Sequence, residues 1–591
     1  MKIKNIKLIA AAMLVAMGTA SCDDFLDRPV EDSYNTENFY TDDASCISGV
    51  NYLYNSPWYD FQRGFIKIGE VMSGNMYWGS SPYLNFSVNG TDEDLVNMSY
   101  SLWAVIGHSN TVYNSIKDSD ASPTVKNQCM GECLTWKAMA YFFLVRTFGD
   151  VPIVHDNEPI IADGSYNSLQ KVRRADVYEY ILMTLEKAME LLPHEKSSTG
   201  RIDYYGARGL YAKVLLTAAG VSGSLSSDYL QRASAASLDV IQNSGRKLLE
   251  NYEDIFRGSN NVSDESLIAW RWTVGAHWTC QNTQQSDLMP QGFDEYGDCW
   301  GGWGGPSYDL ERAFGYDVTE NPSARIETDV RRKATMMGAG DTYEYFWRDH
   351  DLGNGKKGLD ILKFYYDKDY NEAAPGQFQG PCGVQNVKHA YGNEADHQAE
   401  CGMSAGRMAY AVATHILRLA DVYLVHAEAE VLLGNTTSQT ALDAFNAVRG
   451  RSDNAAVDKT VLTFDDIWKE RRLELAGEGD RWYDYVRRSY YDVDACIADL
   501  KQQNRGAVWN CDGAYKAYFE SDGATWDTTD IQYEDAADAE GKTPRTTGTN
   551  SLNVTKASFT LPYPTEDVAL NPNLGSNVTP VSVNVRTEYA Y

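Results

Sequence analysis

Between residues 127 and 148, Met130, Leu134, Ala138, Tyr141, Val145 and Phe148 recur at steps of four and three. That spacing places them on one face of a helix, which Gly149 ends and Pro152 prevents from continuing. The same reading predicts helices over 175–192, stopped by Pro193, over 206–219, stopped by Gly220, and over 228–243. Further along, Leu417, Ala420, Leu424, Ala427 and Val431 form another apolar stripe closed by Gly434, and two more helices fit 438–449 and 464–476. The helices come in adjacent pairs, with alanine at several inward positions where neighbours can approach closely. Ala212-Lys213-Val214-Leu215-Leu216 and Ala429-Glu430-Val431-Leu432-Leu433 are alike, which predicts degenerate helical hairpins of the tetratricopeptide kind.

The pattern changes in mid-chain. Residues 292–406 hold 18 glycines, about double the chain average of 47 in 591, and helical periodicity is scarce there. We therefore expect a mainly α protein in which a helical scaffold, mainly 41–250 and 411–490, carries a loop-rich mixed lobe, mainly 251–410. The C-terminal part, 491–591, reads as irregular, with short β-like runs and Pro562, Pro564 and Pro572. Loops held on a rigid scaffold are where binding residues concentrate, so the lobe is expected to carry the ligand surface.

Composition narrows the partners. The net charge is −30, and a leader holding Lys2, Lys4 and Lys7 contributes three of the cations, so residues 22–591 carry −33. A body this acidic repels polyanions and makes nucleic acid a poor partner. Within the leader, the apolar run Leu8–Met17 is too short to span a bilayer, and Gly18-Thr19-Ala20-Ser21-Cys22 follows it. The segment 1–21 reads as a secretory signal ending in a lipobox, with Cys22 as the lipidated residue and 22–40 as a tether, so the membrane is reached through the lipid anchor only. Nine further cysteines include no CxxC pair; most are expected to be buried small hydrophobes, although Cys280 and Cys299 are placed to close a loop. No metal site and no cofactor are expected.

Five of the 14 tryptophans fall between 270 and 303. Trp270 and Trp272 alternate with Ile268 and Val274 on one face of a strand, which predicts core packing. Trp278 lies beyond that strand, and Trp300 and Trp303 sit among glycines that offer no side chains to cover them. Each of these indoles is either an anchor folded back on the protein or an exposed stacking platform. Tyr296 lies just upstream, and Tyr77 and Trp78, between Asn75 and Asn85, form a second aromatic spot. Flat aromatic faces suit the C–H patches of sugar rings, while neighbouring amides satisfy the hydroxyls. Catalysis is not expected: no HExxH or P-loop motif appears, histidines number only nine, and 82 acidic residues single out no carboxylate pair. Glu470-Arg471-Arg472-Leu473-Glu474 reads as an intramolecular ion-pair brace rather than a site.

Four stretches, in order, resemble the SusD/RagB family of outer-membrane nutrient-binding lipoproteins. They are Lys137 to Pro152, ending Arg146-Thr147-Phe148-Gly149-Asp150-Val151-Pro152; Arg418-Leu419-Ala420-Asp421-Val422-Tyr423 through Ala429; Glu470 to Trp482; and Leu561-Pro562-Tyr563-Pro564 through Leu574. The lipobox followed by Asp23-Asp24-Phe25-Leu26 is similar as well. The resemblance implies a SusD-like tetratricopeptide-type fold, a lipid-anchored position on the surface of a Gram-negative outer membrane, and a lid-like pairing with a SusC-like TonB-dependent transporter. It implies capture of a glycan, with peptide capture as the alternative within the family and glycoside hydrolysis as the alternative outside it. By position it also points to Trp78 and the 278–303 group as sugar-contacting residues. The matching stretches fall in the scaffold and do not identify the ligand.

Overall fold

The computed structural model describes residues 39–535 and 552–591, apart from Ser80 and Asn454. The leader, Cys22 and most of the tether lie outside the described residues. Helices α1 (Asp43–Asn51), α2 (Glu93–Lys117), α3 (Pro123–Phe148), α4 (Arg174–Leu191), α5 (Tyr204–Ala218) and α6 (Ser227–Asn243) precede the lobe. Helices α7 (Leu419–Leu432), α8 (Gln439–Ser452), α9 (Phe464–Glu474) and α10 (Arg481–Gln502) follow it, α10 being interrupted by non-helical backbone at Asp492. Every helix predicted from periodicity is present, with its ends displaced by at most four residues. The stop signals act as expected: Gly149 and Gly434 take positive φ at helix ends, a conformation that costs a residue without Cβ little. Each helix packs on the next, α2 on α3, α3 on α4, α4 on α5 and α5 on α6, then α6 on α7 and α7 on α8 and α9. This is the stacked-hairpin arrangement of a mainly α, tetratricopeptide-like scaffold.

Helix α3 departs from its predicted single apolar face. From Cys129 to Phe148 it is buried on every side, including Glu132, Lys137 and Arg146. Each of these polar groups has partners that make burial tolerable. Glu132 accepts from Arg201 at 2.8 and 2.9 Å and from Tyr54, Lys137 donates to the His155 carbonyl at 2.8 Å, and Arg146 pairs with Asp480 at 3.0 Å while lying over Phe142.

Strands β1 (Met76–Trp78), β2 (Ser266–Trp270), β3 (Gly304–Pro306), β4 (Met336–Gly338), β5 (Val384–Asn386), β6 (Thr414–Arg418), β7 (Ala507–Asn510) and β8 (Gln532–Asp535) pair antiparallel as β1–β3, β2–β6, β4–β5 and β7–β8. The β2–β6 pair sets the chain's exit from the scaffold beside its return. Trp270 and Trp272 are buried there, Trp270 stacking on Trp58 at 5.2 Å. The excursion between the two strands builds a second core from Met289, Phe293, Met337, Phe346, Phe364, Tyr365 and Val384, which Tyr77 and Tyr515 join from outside it.

All nine described cysteines are free, eight of them buried. The Cys280–Cys299 loop closure is therefore corrected: the Cys280 thiol donates to the His277 carbonyl at 2.8 Å, and that of Cys299 to Asp294 at 3.2 Å. The Glu470–Glu474 brace is also wider than the helix face it was read from. Arg471 reaches Asp421 on α7 (2.8 Å) and Asp484 on α10 (2.9 Å), and Glu474 reaches Arg418 on β6 (3.2 Å) and Arg451 on α8 (2.5 Å), all buried except the partly exposed Arg451.

Candidate functional site

The β1–β3 register sets Trp78 opposite Gly304 and Tyr77 opposite Gly305, so two segments 226 residues apart in sequence bring Trp78 to the backbone that follows Trp303. Glycine at 304 leaves room for this: a Cβ there would lie 3.1 Å from the Trp78 ring. The preceding turn is fixed by its backbone. The Trp300 and Gly301 N–H groups donate to the Ser286 and Met289 carbonyls at 2.9 and 2.7 Å, and a Cβ at Gly301 would meet the Leu288 carbonyl carbon at 2.3 Å. With the backbone pressed inward, the indoles turn outward. Trp303 is 76% exposed, Trp278 55% and Trp300 43%, while Trp78 is half-buried.

A helical segment unread in the sequence spaces these rings. Tyr59, Arg63 and Lys67 recur every four residues along Ser56–Val71, which passes from 3₁₀ through α to π helix, and all three reach the surface while Trp58, Phe61, Gln62, Phe65 and Ile66 are buried. The Trp278 ring meets the Tyr59 ring edge to face, with centroids 6.5 Å apart. Arg63 pairs with Asp287 at 3.4 Å, and Asp287 accepts the Trp300 indole N–H at 3.0 Å. Lys67 sits 5.4 Å above the Trp78 ring. The result is a ridge in which three side chains of this segment each steady one indole. Burial pushes the Tyr59 hydroxyl up to about 12 and raises the Asp287 carboxyl above its ordinary value, with Arg63 and Trp300 opposing the latter.

Beside the ridge opens a cavity of about 750 Å³, walled by Trp300 and Trp303, by the 377–381 loop and by β7, with Tyr77 also on its lining. Trp509 on β7 enters it, backed by Tyr308 at 5.5 Å, and the Trp509 N–H donates to the Pro381 carbonyl at 2.8 Å, tying the two walls together. Sequence reasoning passed over Trp509 because the 491–591 region reads as irregular; the apolar run Ala507-Val508-Trp509 is too short to mark a strand. Charged residues make up 23% of the chain, yet none of the seventeen described residues lining the cavity is charged.

The remaining sequence candidates fall elsewhere. Asn75 is a correction: it is fully buried, its amide donating to Glu70 at 3.0 Å and its carbonyl accepting from Arg472 at 2.8 Å, so it pins β1 to the scaffold. Asn85 is exposed but does not line the cavity. Tyr296 is 36% exposed, and its hydroxyl donates to Glu394 and to the Ala405 carbonyl. Asp294, Asp298 and Cys299 come within 4.8 Å of one another, but their contacts hold the turn: Asp294 accepts the Tyr296 and Gly297 N–H groups and the Cys299 thiol, and Asp298 accepts the Met408 N–H. Burial, with Asp294 beside it, raises the Asp298 carboxyl to about 6.

Two strings carry the spacing of catalytic motifs without their setting. Gly353-Asn354-Gly355-Lys356-Lys357-Gly358 fits GxGxxG but forms the end of a two-stranded hairpin instead of opening a helix. Gly402-Met403-Ser404-Ala405-Gly406 fits GxSxG, but it follows a helix C-terminus at Gly402, whereas a nucleophile elbow runs from strand to helix.

Known proteins share this architecture. Residues 258–579 match the model of the SusD family, and residues 8–216 match one described as starch-binding associating with outer membrane. A SusD-like protein of Bacteroides ovatus is 30% identical over 98% of both chains. One solved structure, 28% identical, covers 92% of this chain and all of its own with a TM-score of 0.75. Another, solved with a xylogluco-oligosaccharide, is 27% identical over 91% of this chain and all of its own, with a TM-score of 0.73. The chain, matched along its whole length by these relatives and in its second half by the family model, belongs to the SusD family.

Proposed function

We propose that this protein captures glycans at the cell surface without cleaving them and hands them to a SusC-like TonB-dependent transporter. The observation that carries the reading is the ridge: Trp278, Trp300 and Trp303 expose their indoles and Trp78 is half-exposed, with Trp278, Trp300 and Trp78 each held by a side chain of the Ser56–Val71 segment, Trp300 through Asp287. The xylogluco-oligosaccharide held by a relative 27% identical supports the ligand class. Among the described residues no carboxylate lines the adjoining cavity, so they supply no flanking acid pair of the kind glycoside hydrolysis requires. Tyr77 lines the cavity, and Tyr296 and Asn85, exposed outside it, are kept as candidate ligand contacts.

The test is affinity electrophoresis against a panel of neutral polysaccharides, followed by product analysis. Retention by at least one glycan with no released oligosaccharide is expected; chain shortening would overturn the non-catalytic reading, and no retention by any would overturn capture.

Surface anchoring follows from the family and from the lipobox at Cys22. Cys22→Ala is expected to move the protein from the membrane fraction to the soluble one, because the acyl chains acting together supply the membrane affinity. Unchanged membrane association would refute simple lipid anchoring.

A further inference from the structure

The cavity beside the ridge differs in kind from the ridge. The ridge carries charge along its base, with Arg63, Lys67 and Asp287 holding the indoles. Among the described residues the cavity lining has none, although the chain as a whole is strongly acidic. Its walls alternate flat or apolar faces, from Trp509 and Phe378, with the carboxamides of Gln377, Gln379 and Asn510. Carboxamides both donate and accept, which suits hydroxyl groups, and the Gln291 N–H fixes the Gln379 carboxamide by donating to its oxygen at 3.0 Å. A carboxylate or sulfate brought into this recess would lose water and find no cation, a penalty that neutral hydroxyls escape. Its volume of about 750 Å³ lies within the range of small-ligand pockets, ~300–1,000 Å³, the scale of a short saccharide and not of a polymer. Trp300 and Trp303 belong to both surfaces, so a chain lying over the ridge passes the mouth of the cavity at these two residues.

Resting on the glycan-capture reading, we infer that the cavity is a second subsite that receives a short neutral side branch of the glycan whose main chain lies along the ridge. Trp509 supplies the stacking face for the branch, and Gln377, Gln379 and Asn510 supply its hydrogen-bond partners. The protein is thereby selective for branched, uncharged glycans, and a uronate-bearing branch gains nothing from the cavity.

Calorimetric titration with matched pairs tests this: cello- against xylogluco-oligosaccharides, manno- against galactomanno-oligosaccharides, and linear against branched laminari- and malto-oligosaccharides, with a glucuronate-branched xylo-oligosaccharide as the charged control. The wild type is expected to bind the branched member of at least one pair about tenfold tighter, as one stacked ring with its hydrogen bonds provides. Trp509→Ala removes the stacking face and should erase that difference. Asn510→Trp fills the cavity from an exposed position, without emptying any packed site, and should erase it as well. Equal affinity for both members of every pair, or a loss in the two variants that falls equally on linear and branched members, overturns the branch subsite while leaving capture intact. Tighter binding of the uronate-branched probe than of its linear counterpart overturns the neutrality argument. Failure of the wild type to bind any probe removes the capture reading itself, and this inference with it.

Discussion

Replacing Trp300 and Trp303 together by alanine is expected to weaken glycan binding roughly 30- to 100-fold, with the fold unchanged. Each aromatic platform contributes on the order of 1–1.5 kcal/mol beyond area burial, so two lost platforms correspond to about 2–3 kcal/mol. Two or three platforms together with hydrogen bonds give roughly 4–6 kcal/mol in all, or dissociation constants from near millimolar to tens of micromolar. Affinity in that range suits a protein that must release its ligand to a transporter. Stability should barely change, because Trp303 is 76% exposed and packs little. Trp300 gives up one hydrogen bond to Asp287, which keeps Arg63 as a partner. Affinity electrophoresis or calorimetry, set beside circular dichroism and denaturant unfolding, separates the two effects. Unaltered retention by a correctly folded double variant would take this turn out of the site.

The two surfaces were legible in the sequence to different degrees, for physical reasons. A helix reports itself locally: Met130 and Leu134 are one turn apart whatever else the chain does, and Gly149 stops the helix by its own conformation. The turn carrying Trp300 and Trp303 was legible because glycine neighbours cannot cover an indole. What joins these residues is not local. Trp78 comes opposite Gly304, the neighbour of Trp303, only because β1 pairs with β3, and Asn75, two residues before the aromatic pair, faces inward because Glu70 and Arg472 claim its amide. The one sequence signal that could have shown the ridge is the Tyr59, Arg63, Lys67 spacing. It passed unseen because the apolar neighbours Trp58, Phe61 and Phe65 mark the same segment as core. The brace around Glu470 was recognised as charged pairing, but which partners it meets depends on α7, α8, α10 and β6, whose relative placement no short motif encodes.

That brace is where the scaffold holds the lobe, and its disruption should be the costliest single change in the protein. Arg418 on β6 is fully buried among Glu265 (2.6 Å), Glu474 (3.2 Å) and Glu478 (2.6 Å); Arg451 of α8 shares Glu265 and Glu474, while Arg331 and Lys388 reach into the same cluster from the lobe. Arg418→Met leaves three buried carboxylates to divide the remaining cations, and a buried pair broken on one side costs about 3–5 kcal/mol. Glu474 shows the same balance through pH. Burial alone would raise its carboxyl, but Arg451, Arg418 and Arg331 outweigh it and hold the group down at about 2, below an ordinary value of 4.5. A carboxyl lowered in the folded state contributes stability that is complete above its unfolded value and is lost as pH falls toward the folded one. Glu474→Gln is therefore expected to be less stable than the wild type by on the order of 3 kcal/mol at pH 7. The gap should narrow between pH 5 and 3 as the wild type approaches protonation of the same group. Urea unfolding of both proteins at pH 7, 5, 4 and 3 measures it. A difference that stays constant across that range would mean that Glu474 acts by packing instead of by charge, and that the arginines around it do not couple the scaffold to the lobe.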